Sequence, residues 1–487
     1  MIFPEVNWIA IFPEMILALG AAAMLLVDVQ WAPRARTLAR ISFGLFVAAG
    51  AAALFQHFWL EGLAVDDLSQ ALPFSEMVVV DPFAVFARLV LVVVALLGLG
   101  AAWRFIEGLG RRAAEALALF LLATAGFSLM AASPHLVMIF LGLEIGSISL
   151  YILAGFGRQH PRSEEAALKY FLLGSFASAI FIYGVALLFA GTGSLNLLDQ
   201  RQFLAGTILL RPAVLLIGLA LVVVGMAFKV TAAPFHGWAP DVYEGAPAGA
   251  VGFMAAAAKV GGFAALTRIL VTSFADYADV WAVVVGGIAV TSMLVGSVLA
   301  LAQDDLRRLL AYSGVAHAGF ILTGLVAGRA GTPGVWFYLA IYSVQLVGAF
   351  AVVAAVSGPA SAGSPFSRYQ GLARRQPLLS LSLTVLLLGM AGIPLTSGFI
   401  AKFGVFQEAW RAGFAWLVIV AVIASVVAFF LYLRVIVAMY MAESDGEEVA
   451  APPLPIKAVL AVAIAITIVF GILPAPLLSF AADALPF

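Results

Sequence analysis

Apolar runs of about 20 residues, the length that crosses a bilayer as a helix, recur from one end of this chain to the other with no long polar stretch between them. In hydrocarbon every backbone N–H and C=O must be satisfied inside the protein, so such runs can only be helices packed side by side. The chain reads as an all-α, polytopic membrane protein, and 64% hydrophobic against 10% charged residues agrees. Fourteen spans are expected, at roughly 8–29, 38–59, 82–103, 113–132, 135–156, 165–190, 211–241, 246–272, 279–301, 306–327, 334–356, 377–411, 414–441 and 456–480. Nothing else in the 487 residues has the size of a soluble domain, so 1–487 is read as one transmembrane domain.

Two of these spans, 211–241 and 377–411, are too long to be straight and contain internal prolines. Proline frees backbone groups that only neighbouring protein or water can satisfy at that depth, so both are expected to be discontinuous helices. Each break lies near a lysine, Lys229 before Pro234 and Lys402 after Pro394. That layout points to an internal repeat of about five helices, 113–272 and 279–441, flanked by 1–112 and 442–487.

Orientation follows from the basic residues. With the N-terminus outside, fourteen loop Arg and Lys, among them Arg34, Arg36, Arg40, Arg158 and Arg368, face the cytoplasm, against five on the other side (Arg201, Arg211, Arg268, Arg329 and Arg411). This bias places both termini on the outer face of a plasma membrane. An acidic segment with Asp66, Asp67, Glu76 and Asp81 then lies outside. The N-terminus lacks a basic n-region, so the first helix is expected to be retained. The loop at Ser357–Gln376 starts as a Gly, Ser and Pro segment, ends in a basic cluster, and is read as a cytoplasmic connector.

Several functions are excluded. There is no cysteine, hence no disulfide and no thiolate-held iron–sulfur cluster on this chain. A net charge of -1 without a basic block gives nucleic acid nothing to bind. No glycine-rich phosphate loop precedes a helix, and the five histidines lack ligand spacing.

What remains is buried charge. A lysine or aspartate at the centre of a span costs about 2.5 to 3.5 kcal/mol on insertion scales, so such a residue is paired, wetted or functional. Glu144 sits mid-span in LGLEIGSISL, and Lys229 is its natural counter-charge, at the end of a half-helix whose free carbonyls favour a cation. An acid and an amine close together in low dielectric have proton affinities set by their neighbours, as a proton relay requires; a static ion pair is the plain alternative. Lys259 lies among Ala and Gly at the centre of its span, where small neighbours leave room for water. Lys169 is one turn inside its span with Glu165 at i-4, which fits an interfacial ion pair as well as a relay. His317 can bridge two lysines or be a satisfied core histidine. His236, just past the first break, lines the same cavity or caps a freed carbonyl. Asp241 and Glu244 are read mainly as fixing the turn into the next span.

These residues carry a likeness. LEIGSISLYILAGF, EEAALKYFLLGSFASAIFIYG, GMAFKVTAAPFHGWAPDVYEGAP, AAAAKVGGFAAL, LRRLLAYSGVAHAGF and GIPLTSGFIAKF resemble the antiporter-like membrane subunits of respiratory complex I. PDVYEGAP, with a lysine in the twelfth span, resembles the N branch rather than L or M. The likeness is strong over 135–410, and it departs at Ala248 and Gly249, where the family commonly has Thr-Pro.

The resemblance implies an inverted pair of five-helix bundles and a hydrated, charged axis. Along it Glu144 and Lys229 would modulate, Lys259 relay and Lys402 terminate proton transfer, supported by Lys169 and His317. It also implies that FMN, iron–sulfur clusters and quinone belong to partner subunits, with no cofactor or metal on this chain. The implied surroundings are other membrane-arm subunits, lipid, protons and water in a bacterial inner membrane. Two further readings stay open: a subunit of a multisubunit cation/proton antiporter, which uses the same bundle, and a passive scaffold with frozen ion pairs.

Overall fold

The computed structural model describes residues 8–62, 77–157, 161–207, 212–358, 363–443 and 449–486. Asp66, Asp67 and Glu76 of the acidic segment, and Arg158 and Arg211 of the loop tally, lie outside the described residues. The described chain is helical almost throughout, and eleven helices are long and apolar enough to cross a membrane. The other expected spans are helices of a different kind: two are interrupted, and 306–325 is twenty residues long but opens on Arg307 and Arg308. The last expected span also divides, Leu454–Ile472 being followed by a separate helix at Ala475–Asp483.

Three helices come first, α1 (Phe12–Trp31), α2 (Ala35–Glu61) and α3 (Pro82–Ala101). They are joined by a buried network absent from the sequence reading: Arg88 donates to Glu14 at 2.9 Å, to Gln56 at 2.9 Å and to the Ala10 carbonyl at 2.8 Å. Every member has partners, the condition under which buried charge is tolerated. Asp81 caps α3 through the Ala84 N–H at 2.7 Å, with Pro82 following at the first helical position.

Next come α4 (Ala113–Ala131), α5 (Leu136–Ala154), α6 (Pro161–Thr192), the half-helices α7 (Ala213–Lys229) and α8 (Ala239–Gly245), and α9 (Ala248–Arg268). A second set follows: α10 (Ala278–Leu301), α11 (Leu306–Leu325), α12 (Thr332–Ser357), the half-helices α13 (Pro377–Ala391) and α14 (Ser397–Arg411), and α15 (Ala415–Met441). Helix α16 (Leu454–Ile472) returns to pack on α3 and α12. Every residue of α9 is buried, as are nearly all of α12, so these two form the axis of the bundle.

The two sets are structurally equivalent. Gly126 on α4 packs so closely on α5 that a Cβ there would lie 2.5 Å from the Gly146 nitrogen and 2.8 Å from the Gly142 carbonyl. One constant step along the chain carries these three residues to Gly296, Ala316 and Tyr312, where α10 meets α11 in the same way. The same step, to within a residue, carries the isolated bridge His135–Asn196 to Asp305–Pro365. In the first, Leu136 donates to the Leu195 carbonyl at 2.9 Å; in the second, Leu306 donates to Ser364 at 2.9 Å. Because successive helices alternate in direction, the first bridge closes one end of the bundle and the second closes the other. The repeats are therefore inverted. The second bridge also orders the latter part of the Ser357–Gln376 connector, where Arg368 donates to the Ser357 carbonyl at 3.1 Å.

Candidate functional site

Both prolines interrupt their helices as expected. At the first break Thr231 has φ 63, and at the second Leu395 has φ 71 and Gly392 φ 83. A β-branched residue in the left-handed region is a true outlier, of a kind that clusters at functional sites. Three non-glycine residues have positive φ among the described residues, and two of them are in the breaks.

The carbonyls freed at the breaks are taken by lysines. Lys259 reaches across from α9, donating to the Val230 carbonyl at 2.8 Å and to the Thr231 hydroxyl. Lys402, on α14, turns back and donates to the Ala391 carbonyl at 2.8 Å while its ammonium lies 4.6 Å from the Phe320 ring centre. A Cβ at Gly392 would stand 2.9 Å from Lys402 Cδ, so glycine serves that position twice, by conformation and by space. Lys259 is fully buried, and Lys229 and Lys402 nearly so. Among the described residues each ammonium donates to neutral oxygens and not to a carboxylate.

The Glu144–Lys229 pairing read in the sequence is present at a distance, the two groups lying within electrostatic range, and not as a direct contact. Lys229 does end the first half-helix, but its ammonium donates to Ser147 at 2.8 Å and lies 4.9 Å from the Phe127 ring centre. Glu144 is half-buried and accepts from Ser178, and it forms no ion pair with Lys229 among the described residues. Ser147, one turn on from Glu144 on α5, stands where the direct contact was expected. The physical reason is that a hydroxyl can satisfy the ammonium at the end of α7 while Glu144 sits at the rim of the bundle, beside the exposed Leu141, Ile145 and Ile148.

His317 lies between the two break lysines, within electrostatic range of both. Its Nδ1 is 2.9 Å from the Tyr338 hydroxyl and its Nε2 is 3.0 Å from that of Tyr432, which contacts Ser313 at 2.5 Å. Tyr342 stacks on the imidazole at 4.3 Å. On the Lys259 side α11 carries Gly314, and a Cβ built there would be 3.2 Å from the Tyr342 hydroxyl and 3.8 Å from Lys259 Nζ. Glycine there lets α11 approach both groups more closely than a side chain would allow. The Tyr342 hydroxyl is buried without a hydrogen-bond partner among the described residues.

Lys169 is not buried among these groups. Its ammonium donates to Glu165 and Asp241, both at 2.7 Å, at the arginine-rich end of the bundle. Asp241 and Glu244 do more than shape a turn, since Arg308 donates to both at 2.8 Å and Arg162 reaches Glu244 at 3.3 Å. This mixed cluster ties α6, α8 and α11 together at the mouth of the first break. His236 sits half-buried beside the break, its ring centre 6.1 Å from that of Tyr312.

Ser147, Ser178, Thr231 and the three tyrosines were missed in the sequence. A signal existed for some: Ser147 follows Glu144 at i+3, and Tyr338 and Tyr342 are an i, i+4 pair inside an apolar span.

The whole arrangement has known counterparts. The family model described as NADH:quinone oxidoreductase/Mrp antiporter, TM, matches residues 133–428. NADH-quinone oxidoreductase subunit N of Trichlorobacter lovleyi is 39% identical over 489 residues, covering 99% of this chain and 98% of that protein. The subunit N of Mycobacterium tuberculosis is 46% identical over 386 residues, 78% of this chain and 72% of that one. Among solved structures, respiratory complex I from Thermus thermophilus with bound aureothin contains a chain with TM-score 0.81 and 32% identity, covering 97% of this chain and 99% of that one. The Mrp complex of Dietzia sp. shares the fold at TM-score 0.81 and 22% identity, covering 97% of each chain. The chain therefore belongs to the NADH:quinone oxidoreductase/Mrp antiporter membrane family, in its NADH-quinone oxidoreductase subunit N branch.

Proposed function

We propose that this chain is a proton-translocating subunit in the membrane arm of an NADH-quinone oxidoreductase, moving protons along buried side chains while electron transfer takes place on partner subunits. The observation that carries it is the placement of His317 between Lys259 and Lys402, with each lysine seated on a carbonyl released by a helix break. An ammonium held by neutral dipoles can give up its proton without leaving an unpaired carboxylate behind, which a salt-bridged lysine cannot do.

The two hydroxyl partners of His317 support transfer. Each can donate or accept, so either imidazole tautomer is satisfied, and a proton taken up at one nitrogen can be released from the other. Gly314 brings α11 close to both Lys259 and Tyr342 beside the imidazole. Lys229 and Glu144, linked through the face that carries Ser147, stand at the head of the path, and Lys402 at its end. The two helix sets, 113–272 and 279–441, are its working halves. The Lys169–Asp241–Arg308 cluster stands at the cytoplasmic mouth if the arginine-rich end faces inward, as the loop bias requires. Both chain ends are then periplasmic. The half-buried Glu144 faces a side that a neighbouring membrane subunit would cover. With no cysteine here to hold an iron–sulfur cluster, electron carriers are assigned to other subunits, as are FMN and the quinone site.

The test is proton pumping by the assembled complex in vesicles. Lys229→Ala or Glu144→Ala should reduce protons moved per electron, and Lys402→Glu should impair outward release. Unchanged stoichiometry in the first two would sink the relay, and normal pumping with Lys402→Glu would make that residue structural. Purification with only small membrane proteins and sodium-driven proton exchange would instead select the antiporter reading.

A further inference from the structure

An apolar furrow of about 500 Å³ opens on the flank of the bundle, away from the proton path. Its floor is one face of α3, with Val93 and Gly100 and then Trp103 just beyond the helix; its walls are Arg40 and Phe43 of α2 and Val462 of α16. From Val93 to Trp103 the floor rises roughly 15 Å at 1.5 Å per residue, half of a hydrocarbon core about 30 Å thick. The furrow is thus one leaflet deep. Past Val93 it continues into a narrower recess of about 180 Å³ that reaches Phe480 in the other leaflet.

The charge at its mouth selects the occupant. Arg40 is exposed and lies inside α2 at the arginine-rich end. Its neighbours are committed: Arg36 pairs with Glu107 at 2.5 Å, and Arg104 donates to the Ala451 carbonyl at 2.8 Å. Among the described residues Arg40 has no such partner and no acidic residue lines the furrow. Trp103, half-buried at the same level, is the aromatic type that settles at headgroup depth. An exposed guanidinium at headgroup depth suits a lipid phosphate, which accepts from it in a charge-assisted hydrogen bond.

We infer that this furrow is a binding site for an anionic phospholipid of the cytoplasmic leaflet, its phosphate held at Arg40 and an acyl chain laid along α3 towards Val93. The inference takes its leaflet from the orientation proposed above but does not depend on the proton path, and its test leaves pumping aside.

The assembled complex is placed in phosphatidylcholine nanodiscs containing a trace of either phosphatidylglycerol or phosphatidylcholine with a photoreactive acyl chain, and adducts are mapped by peptide mass spectrometry. The glycerol probe should label the peptides carrying Val93 and Val462 over the choline probe by roughly fivefold, the ratio that one basic residue near an anionic headgroup supports. Arg40→Gln should bring the two probes level without abolishing labelling, and Val93→Trp should remove both signals by filling the floor. Equal labelling by both headgroups in the unaltered complex overturns the assignment. So does protection of both peptides from every lipid probe, the pattern left by a protein helix in the furrow.

Discussion

Tyr432 illustrates how much of this site depends on single hydroxyls. It meets His317 Nε2 at 3.0 Å and Ser313 at 2.5 Å, so removing one oxygen breaks the chain of donors at the imidazole while the ring still fills its place. General acid–base groups contribute about a hundredfold or more to a proton transfer, and the remaining Tyr338 contact softens the loss. Tyr432→Phe should therefore slow quinone-coupled turnover by roughly tenfold, below the range typical of a full acid–base group, and should raise its solvent deuterium isotope effect. A packing role for the hydroxyl would leave the isotope effect where it was. The lysines and His317 could be picked out from sequence because charge inside an apolar span is costly and therefore conspicuous. Ser147 and the tyrosines offered only their spacing, and Thr231 not even that, since a serine or threonine hydroxyl in a membrane helix can turn back to its own backbone, as Ser149 and Thr124 do at 2.8 Å. Only the tertiary structure shows which hydroxyls face a lysine.

At the scale of elements, the breaks were legible and their occupants were not. Pro234 and Pro394 announce an interrupted helix, and Gly392 fits the left-handed turn that ends α13. That Lys259, on a different helix, would take the carbonyl freed beside Lys229 depends on how α9 crosses α7, which no local pattern encodes. The Arg88–Glu14 pair was hidden for the same reason, as was the pair of Arg268 with Asp81, which were read as outer-loop residues and are instead buried together at 2.8 Å; each pair joins segments far apart in the chain. Gly392 gives the sharpest test at this level. Alanine there must hold φ 83 and push aside Lys402 Cδ at 2.9 Å. A non-glycine residue in the left-handed region costs about 1 to 2 kcal/mol, and displacing the lysine adds to it. Gly392→Ala should lower the thermal stability of the detergent-solubilised complex and impair pumping together, whereas Gly404→Ala, on α14 with open space around it, should do neither. Equal behaviour of the two variants would mean that the second break tolerates other conformations.

For the whole molecule, inversion is the property from which the rest follows. The bridges His135–Asn196 and Asp305–Pro365 close opposite ends of the bundle, so the first broken helix runs towards the arginine-rich end and the second runs away from it. Residue identity between the halves is too slight to show this, because the close contact is made by backbone atoms, and Gly146 can answer to Ala316 and Gly142 to Tyr312. The direction of the assembly in the membrane rests on another kind of force. Basic loops are retained on the cytoplasmic side, and Arg34, Arg36, Arg104, Arg111, Arg112, Arg374 and Arg375 all lie at one end of the bundle, whereas Arg201, Arg329 and Arg411 lie at the other. Alkaline phosphatase folds into an active enzyme only outside the cytoplasm, so fused after Phe487 it should be active, and fused after Arg112 it should not. The opposite pattern would turn the whole chain over. The Lys169–Asp241–Arg308 cluster would then face the periplasm, and the proposed order of transfer from Lys229 to Lys402 would have to run the other way.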